Sequence, residues 1–338
     1  MGNSKLVTVI GGSGFVGRHV VRALAKAGHR VRVACRRPDL AGFTQPTGGV
    51  GQVMPVQANL RYPESLAAAC EGADTVINLV GVLFDSGAQG FDHIHVEGAE
   101  AAAQAARATG ASQFIHMSAL GADAHWDSDY ARSKAEGEAR VAQAFPGAVM
   151  LRPSVIFGPE DKLFNTFGAM ARYSPFVVLI GDGVTKFQPV YVGDVALAIT
   201  HLVSRGEASG KVYELGGPEV VSMKEMARMV LDVTGRNRGF MDLTWSESRF
   251  LGHMFNLWQR PWFRKVTLGL MPWPPFTADQ VRTLRRDNVV SAEAVAEGRD
   301  LAGLGVAPRN LAAILPSYLY RYRKAGQFTA PTTSGENV

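Results

Sequence analysis

The stretch Leu6-Val7-Thr8-Val9-Ile10-Gly11-Gly12-Ser13-Gly14-Phe15-Val16-Gly17 decides the fold. Leu6–Ile10 reads as a short strand covered on both faces. Glycines then follow that satisfy two three-glycine spacings, Gly12-x-Gly14-x-x-Gly17 and Gly11-x-x-Gly14-x-x-Gly17. One is needed where the chain turns sharply out of the strand, and another where backbone approaches a pyrophosphate. The third lets the next helix pack closely on the sheet. That helix, amphipathic from Phe15 to Ala27, would present the free N–H groups at its N-terminus to an anion, and Gly11, Ser13, Gly14, Phe15, Val16 and Gly17 are the expected cofactor-binding residues of the turn.

Outward from this turn, apolar runs alternate with Ala-rich helical patterns. Strands are predicted at Val31–Cys35, Gln52–Val56, Thr75–Leu79, Gln113–Met117 and Val149–Leu151, and helices at Pro63–Cys70, Asp92–Thr109 and Asp129–Phe145. The pattern predicts an α/β fold: a Rossmann-type doubly wound parallel sheet with a smaller, irregular α+β C-terminal domain. Residues 1–155 are expected to form the dinucleotide-binding domain, with one or two strands returning from 156–220. Residues 156–327 would form a substrate or docking region, with helical stretches at Ser222–Thr234 and Ser246–Trp258. The polar, Pro/Gly-rich tail 328–338 is expected to be disordered.

The end of the second strand selects among dinucleotides. A site for NAD wants an acid there to bind the ribose 2′-hydroxyl, whereas this chain reads Cys35-Arg36-Arg37-Pro38. Arg36, with Arg37 beside it, would grip a 2′-phosphate through charge-assisted hydrogen bonds, so NADP(H) is the expected cofactor. The alternative is that both are ordinary loop charges. Ala58-Asn59-Leu60 and Asn78-Leu79-Val80-Gly81 end the third and fourth strands, where ligands bind in open α/β sheets. Asn59, Leu60, Asn78 and Val80 are expected to face the adenine and riboses.

Tyr130-Ala131-Arg132-Ser133-Lys134 opens the helix of the fifth crossover, with Ser128 as its expected N-cap. The i,i+4 spacing puts the phenol and the ammonium on one face. Such a pair suits acid/base work only if the phenol falls about 3 units from its ordinary value. Lys134⁺ and an oxidised nicotinamide would supply that bias.

Composition narrows the partners. The 338 residues are 46% apolar and 19% charged, globular rather than disordered, with no apolar run long enough to span a bilayer. Cys35 and Cys70 alone exclude a disulfide scaffold or a multi-cysteine metal site, and no metal is expected. With the first strand starting so early, no leader peptide is expected, and the reading is a reducing, cytoplasm-facing compartment. Lys and Arg balance Asp and Glu at 17 each through residue 204, but stand at 18 against 13 from 205 onward. Four of the five tryptophans lie between Trp245 and Trp273, and Ser248–Ala278 carries Arg249, Arg260, Arg264 and Lys265 without an acid. The 245–286 segment reads either as an interface anchor for protein or anionic lipid, or as the small domain's core with a basic rim. No nucleic-acid motif accompanies the charge.

Together, the glycine turn, Tyr130-x-x-x-Lys134 and Leu151-Arg152-Pro153-Ser154-Val155-Ile156-Phe157-Gly158-Pro159 resemble the short-chain dehydrogenase/reductase superfamily. Val190-Tyr191-Val192-Gly193-Asp194-Val195-Ala196 resembles a segment of its extended branch. The resemblance implies Tyr130 as acid/base, Lys134 as ligand of the nicotinamide ribose, and a serine past the fifth strand that polarises the carbonyl. Laying Phe114–Ala119 on the family pattern puts Ala119 at that place and Ser118 one residue earlier; His95 stands where the family usually has Asn. A closer set of strings resembles the atypical family containing the ninth alpha-subcomplex accessory subunit of respiratory complex I. These are His116-Met117-Ser118-Ala119-Leu120-Gly121-Ala122, Ala144-Phe145-Pro146-Gly147, Phe157-Gly158-Pro159-Glu160-Asp161 with Phe164-Asn165, Met271–Phe276 and Asp287–Val290. That implies an accessory or assembly subunit holding NADPH structurally. It would be peripheral on the cytoplasmic face of the inner membrane (the matrix side if mitochondrial) and bound to other complex I subunits through 245–286. The alternatives are an active oxidoreductase or epimerase acting through Tyr130, Lys134 and Ser118 on a quinone/isoprenoid-like or nucleotide-sugar substrate, and an NADPH-sensing regulator.

Overall fold

A computed structural model describes residues 4–83, 90–258 and 276–328. Strand β1 (Leu6–Ile10) feeds α1 (Phe15–Lys26), β2 (Arg30–Cys35), β3 (Val53–Gln57), α2 (Pro63–Cys70) and β4 (Thr75–Asn78). There follow α3 (Gly98–Ala108), β5 (Gln113–Met117), α4 (Asp129–Ala144) and β6 (Val149–Pro153). Among the described residues one parallel seven-stranded sheet forms, in the order Val212–Leu215, β6, β5, β4, β1, β2, β3. The order reverses at β1, which has β2 on one side and β4 on the other. This switch point opens a crevice at the strand C-termini.

Val and Ile runs fill the strands because both faces are covered. On one face Ile10, Ala34, Val76 and Phe114 join Leu66, Ala102, Ala106 and Val141 of α2–α4 in one apolar core. Helix α1 packs beside α6 (Val192–Arg205). The chain divides into two compact units. The first holds Met1–Ser154, Val192–Gly216 and Val290–Ala307; the second holds Val155–Tyr191, Gly217–Val289 and Pro308–Val338.

The second unit has its own core, where Phe157, Phe164 and Phe167 meet Met226, Val230, Leu315 and Tyr318. Just before helix α5 (Leu163–Tyr173), Asp161 accepts from the Phe164 and Gly158 N–H groups and from the Tyr318 hydroxyl at 2.7 Å. Helix α7 (Met223–Thr234) opens with a reciprocal Ser222–Glu225 capping box. In α8 (Trp245–Trp258), Trp245 and Phe255 join Ile180, Phe276 and Val281 in a small cluster, while Phe250 and Met254 are 66% and 53% exposed. Part of the aromatic stretch is therefore core and part faces outward. Arg260, Trp262, Phe263, Arg264, Lys265 and Trp273, like the tail 329–338, lie outside the described residues.

Two local expectations change. The single helix expected over Asp92–Thr109 is a π-helical turn at Asp92–Glu97 followed by α3. Ile94, His95 and Val96 are all buried, and three consecutive inward residues need a wider turn than 3.6 residues. Strand β6 runs on to Pro153, whose carbonyl accepts from Leu120 N–H and which pairs with Leu215.

Helix α4 lies close on the π-helical turn: a Cβ at Gly137 would stand 2.0 Å from the His95 carbonyl oxygen. Gly137→Ala is expected to cost about 1–3 kcal/mol of unfolding free energy through overpacking. Urea denaturation with an unchanged slope would read this out, and an unchanged midpoint would refute the close approach.

Candidate functional site

The crevice at the switch point is built first by backbone. Gly11 sits at φ +81°, a conformation L side chains rarely adopt, and its N–H donates to the Ala34 carbonyl at 2.9 Å. Gly14 N–H donates to the Gly11 carbonyl at 3.0 Å, tightening the turn. Gly17 carries the strongest steric demand: a Cβ there would come within 2.4 Å of the Gly11 oxygen and 2.6 Å of Gly12 Cα. Helix α1 opens at Phe15 with no side-chain cap and no acid in its first turn. Its first-turn N–H groups, including those of Phe15 and Val16, carry the positive end of the helix dipole and suit a pyrophosphate. Ser13 hydrogen-bonds the buried Cys35 thiol, which burial pushes above its ordinary pKa. Val80 closes the far wall, its Cγ2 lying 3.0 Å from where a Gly11 Cβ would be.

The two arginines after β2 differ. Arg37 forms a fork with Asp39, Nε to Oδ1 at 3.0 Å and Nη2 to Oδ2 at 2.8 Å. Arg36 is exposed and has no hydrogen-bond or ion-pair partner among the described residues, which leaves its guanidinium available to a phosphate. Asn59 Oδ1 accepts from Arg61 N–H at 3.2 Å, and Leu60 is buried against Gly98. Leu60 would therefore meet a ligand with backbone rather than side chain. Asn78, expected to face the ligand, turns inward: it is fully buried, accepts from Val80 N–H at 3.1 Å and lies 3.3 Å from His116 Nδ1.

Side chains build the other end. Ser128 caps α4 by accepting from Ala131 N–H. Tyr130 follows in the first turn of α4 and Lys134 one turn after it. The Lys134 ammonium is buried and donates to the Met117 carbonyl at 3.3 Å, with no ion pair among the described residues. Burial lowers its pKa to about 8, with Glu138 opposing the fall. Glu138 is itself held by Arg152 in a fork of 2.8 and 2.6 Å. Burial pushes the Tyr130 phenol up to about 12. Burial, and then the Lys134 charge, lower His95 to about 2 and His116 to about 3, so both imidazoles stay neutral.

Ser118 is 4% exposed, and its hydroxyl has no hydrogen-bond partner among the described residues. Ala119 takes the next, half-exposed position past β5. His95 was legible as a departure from the family pattern, but its centrality was not. It bonds both Val82 and Ser133, stacks on Phe91 at 5.4 Å and meets the edge of Tyr130 at 5.5 Å. No group of three or more potential metal-ligating side chains occurs among the described residues.

The family model for the NAD dependent epimerase/dehydratase family matches residues 7–216. The mitochondrial NADH dehydrogenase [ubiquinone] 1 alpha subcomplex subunit 9 of Arabidopsis thaliana is 33% identical over 97% of this chain and 81% of its own length. A ceramide reductase of Caulobacter vibrioides is 36% identical over 191 residues, 56% of this chain and 58% of that protein. Among solved structures, the dTDP-glucose 4,6-dehydratase of Streptomyces venezuelae, with NAD bound, superposes with a TM-score of 0.70. It is 20% identical, and the match covers 94% of this chain and 96% of that one. The chain therefore belongs to the NAD dependent epimerase/dehydratase family and, within it, to the family of the ninth alpha-subcomplex subunits of NADH dehydrogenase [ubiquinone].

Proposed function

We propose that this protein is an accessory subunit of respiratory complex I that holds NADPH as a fixed ligand. The observation that carries the reading is the likeness to a complex I subunit over 97% of the chain. The geometry agrees with it. The Gly11–Gly17 turn, with Ser13, Gly14, Phe15 and Val16, would hold the pyrophosphate, and Arg36 the 2′-phosphate. Arg37, engaged by Asp39, would line the approach, with Asn59 and Leu60 on the adenine side. Val80, Tyr130 and Lys134 would hold the nicotinamide ribose. Bound there, the dinucleotide would supply a hydride. The chain's own proton machinery is poorly set to accompany one: burial raises Tyr130, and Ala119 offers no hydroxyl where the family's serine stands. Loss of such a donor costs about 10²–10³ in rate.

No helix among the described residues is long and apolar enough to cross a membrane. The proposed placement is peripheral, on the matrix side (cytoplasmic in bacteria). The outward Phe250 and Met254, with the exposed Arg249, would face other complex I subunits or anionic lipid. A second reading, a reductase of a lipid-like ketone working through Tyr130, Lys134 and Ser118, is favoured by the likeness to the ceramide reductase.

Purified from native membranes at modest salt, the chain is expected to carry NADPH and complex I subunits and to leave NADPH unconsumed with ubiquinone analogues or long-chain ketones. Sustained consumption that Tyr130→Phe abolishes would install the second reading instead. Arg36→Asp is expected to shift preference from NADPH toward NADH by about ten- to hundredfold in relative Kd; an unchanged ratio would remove the case for NADP.

The buried ammonium adds a pH signature. Lys134 falls from 10.5 in the unfolded chain to about 8 in the fold, so between those values the unfolded state binds more protons and stability rises with pH. Above 10.5 Lys134 is neutral in both states, and below about 8 it is charged in both. Relative to Lys134→Met, the wild-type protein should gain about 3 kcal/mol across this window, read from urea midpoints. Parallel pH profiles would refute the shift.

A further inference from the structure

His95 ties three elements together by hydrogen bonds whose direction is determined. Val82 N–H, just past β4, donates to His95 Nε2 at 3.0 Å, so Nε2 carries the lone pair. The proton therefore sits on Nδ1, which donates to Ser133 Oγ at 3.0 Å. Ser133 in turn donates to the Tyr130 carbonyl at 2.9 Å. Both ring nitrogens are spent, and the ring is clamped between Phe91 and Tyr130. The same π-helical turn that buries His95 also brings its carbonyl against Gly137 of α4. Gly81 lies against both partners of this junction: a Cβ there would meet Lys134 Nζ at 3.3 Å and His95 Nε2 at 3.7 Å.

We propose that His95 is a positioning residue for the nicotinamide half of the dinucleotide site, fixing the Val80–Val82 segment against Lys134 through its Nε2 bond to Val82. This rests on the reading that the chain holds a dinucleotide. The adenosine half stands on other supports, the glycine turn and Arg36, with no contact to His95 among those described. A loosened Val80–Val82 segment would thus weaken a whole dinucleotide and spare its adenosine fragment. The fragment 2′,5′-ADP separates the two halves, because it carries the 2′-phosphate but no nicotinamide ribose.

The experiment measures Kd for NADPH and for 2′,5′-ADP on the full chain. His95→Phe keeps the ring and its stacking but leaves Val82 N–H unpaired, so NADPH Kd is expected to rise about tenfold or more while 2′,5′-ADP stays within about twofold. His95→Gln, whose amide oxygen reaches the Nε2 position, is expected to recover most of the NADPH affinity. His95→Asn, which reaches only the Nδ1 position, is not. A general loss of folding would weaken both ligands alike and fail to discriminate Gln from Asn, and that result overturns the proposal. So does wild-type NADPH affinity in His95→Phe. If the unaltered chain binds neither probe, the dinucleotide reading itself falls, and this inference with it.

Discussion

Because Gly17 lets α1 come so near the turn that a Cβ would stand 2.4 Å from the Gly11 oxygen, the strand, the turn and the helix can share one small volume. That closeness aims the first-turn N–H groups of α1 across the end of β1, at the point where the sheet order reverses. The other features of the crevice are arranged around it. Val80 reaches the place a Gly11 side chain would occupy, and β2 delivers Arg36 to the rim. Backbone geometry of this kind carries no titrating group, so the pyrophosphate cradle is indifferent to pH across the physiological range.

At the other end of the crevice, the physics is that of a buried ammonium. Lys134 has lost most of its hydration and, among the described residues, gains a carbonyl at 3.3 Å and the opposing field of Glu138. Desolvation wins, and its pKa falls. The ammonium that remains then acts on its neighbours, reinforcing the effect of burial on His95 and His116. Two neutral imidazoles beside one cation are cheaper than any arrangement with a second charge. The neutrality of His95 is what leaves a lone pair for Val82 N–H, so the charge on α4 and the path of the chain after β4 are parts of one electrostatic solution.

Much of this was legible in the chain. The strands announced themselves as Val/Ile runs, and β1, β5 and α2 begin and end where periodicity puts them, because buried parallel strands leave little room for polar residues. Tyr130 and Lys134 were legible from spacing plus the Ser128 cap. What escaped depends on register or on distant chain. Asn78 turns inward because β4 and β5 pair it with His116, a match visible only once the strands are aligned. The seventh strand, Val212–Leu215, is one of those expected to return from 156–220, but which residues form it and that it lies beside β6 have no local mark. The π-helical turn was hidden because Asp92–Thr109 reads as one helix unless three adjacent inward residues are known. The Arg37–Asp39 fork, by contrast, spans two residues and was open to local reading.

The two ends of the crevice therefore fail independently, and this bears on what such a fold can do. A cradle made of glycines and helix N–H groups holds phosphate whether or not any side chain nearby can pass a proton. Acid/base work demands more: a phenol brought down toward neutrality, a donor for the substrate oxygen, and a route for the proton. Here burial drives the Tyr130 phenol upward to about 12, and both nitrogens of His95 are already committed. The Ser118 hydroxyl is buried with no hydrogen bond among the described residues, one position before the half-exposed Ala119. All of these features lie at one end of the crevice and leave the backbone contacts of the cradle in place. A crevice built this way keeps one end in main chain, where side-chain changes at the other end do not reach.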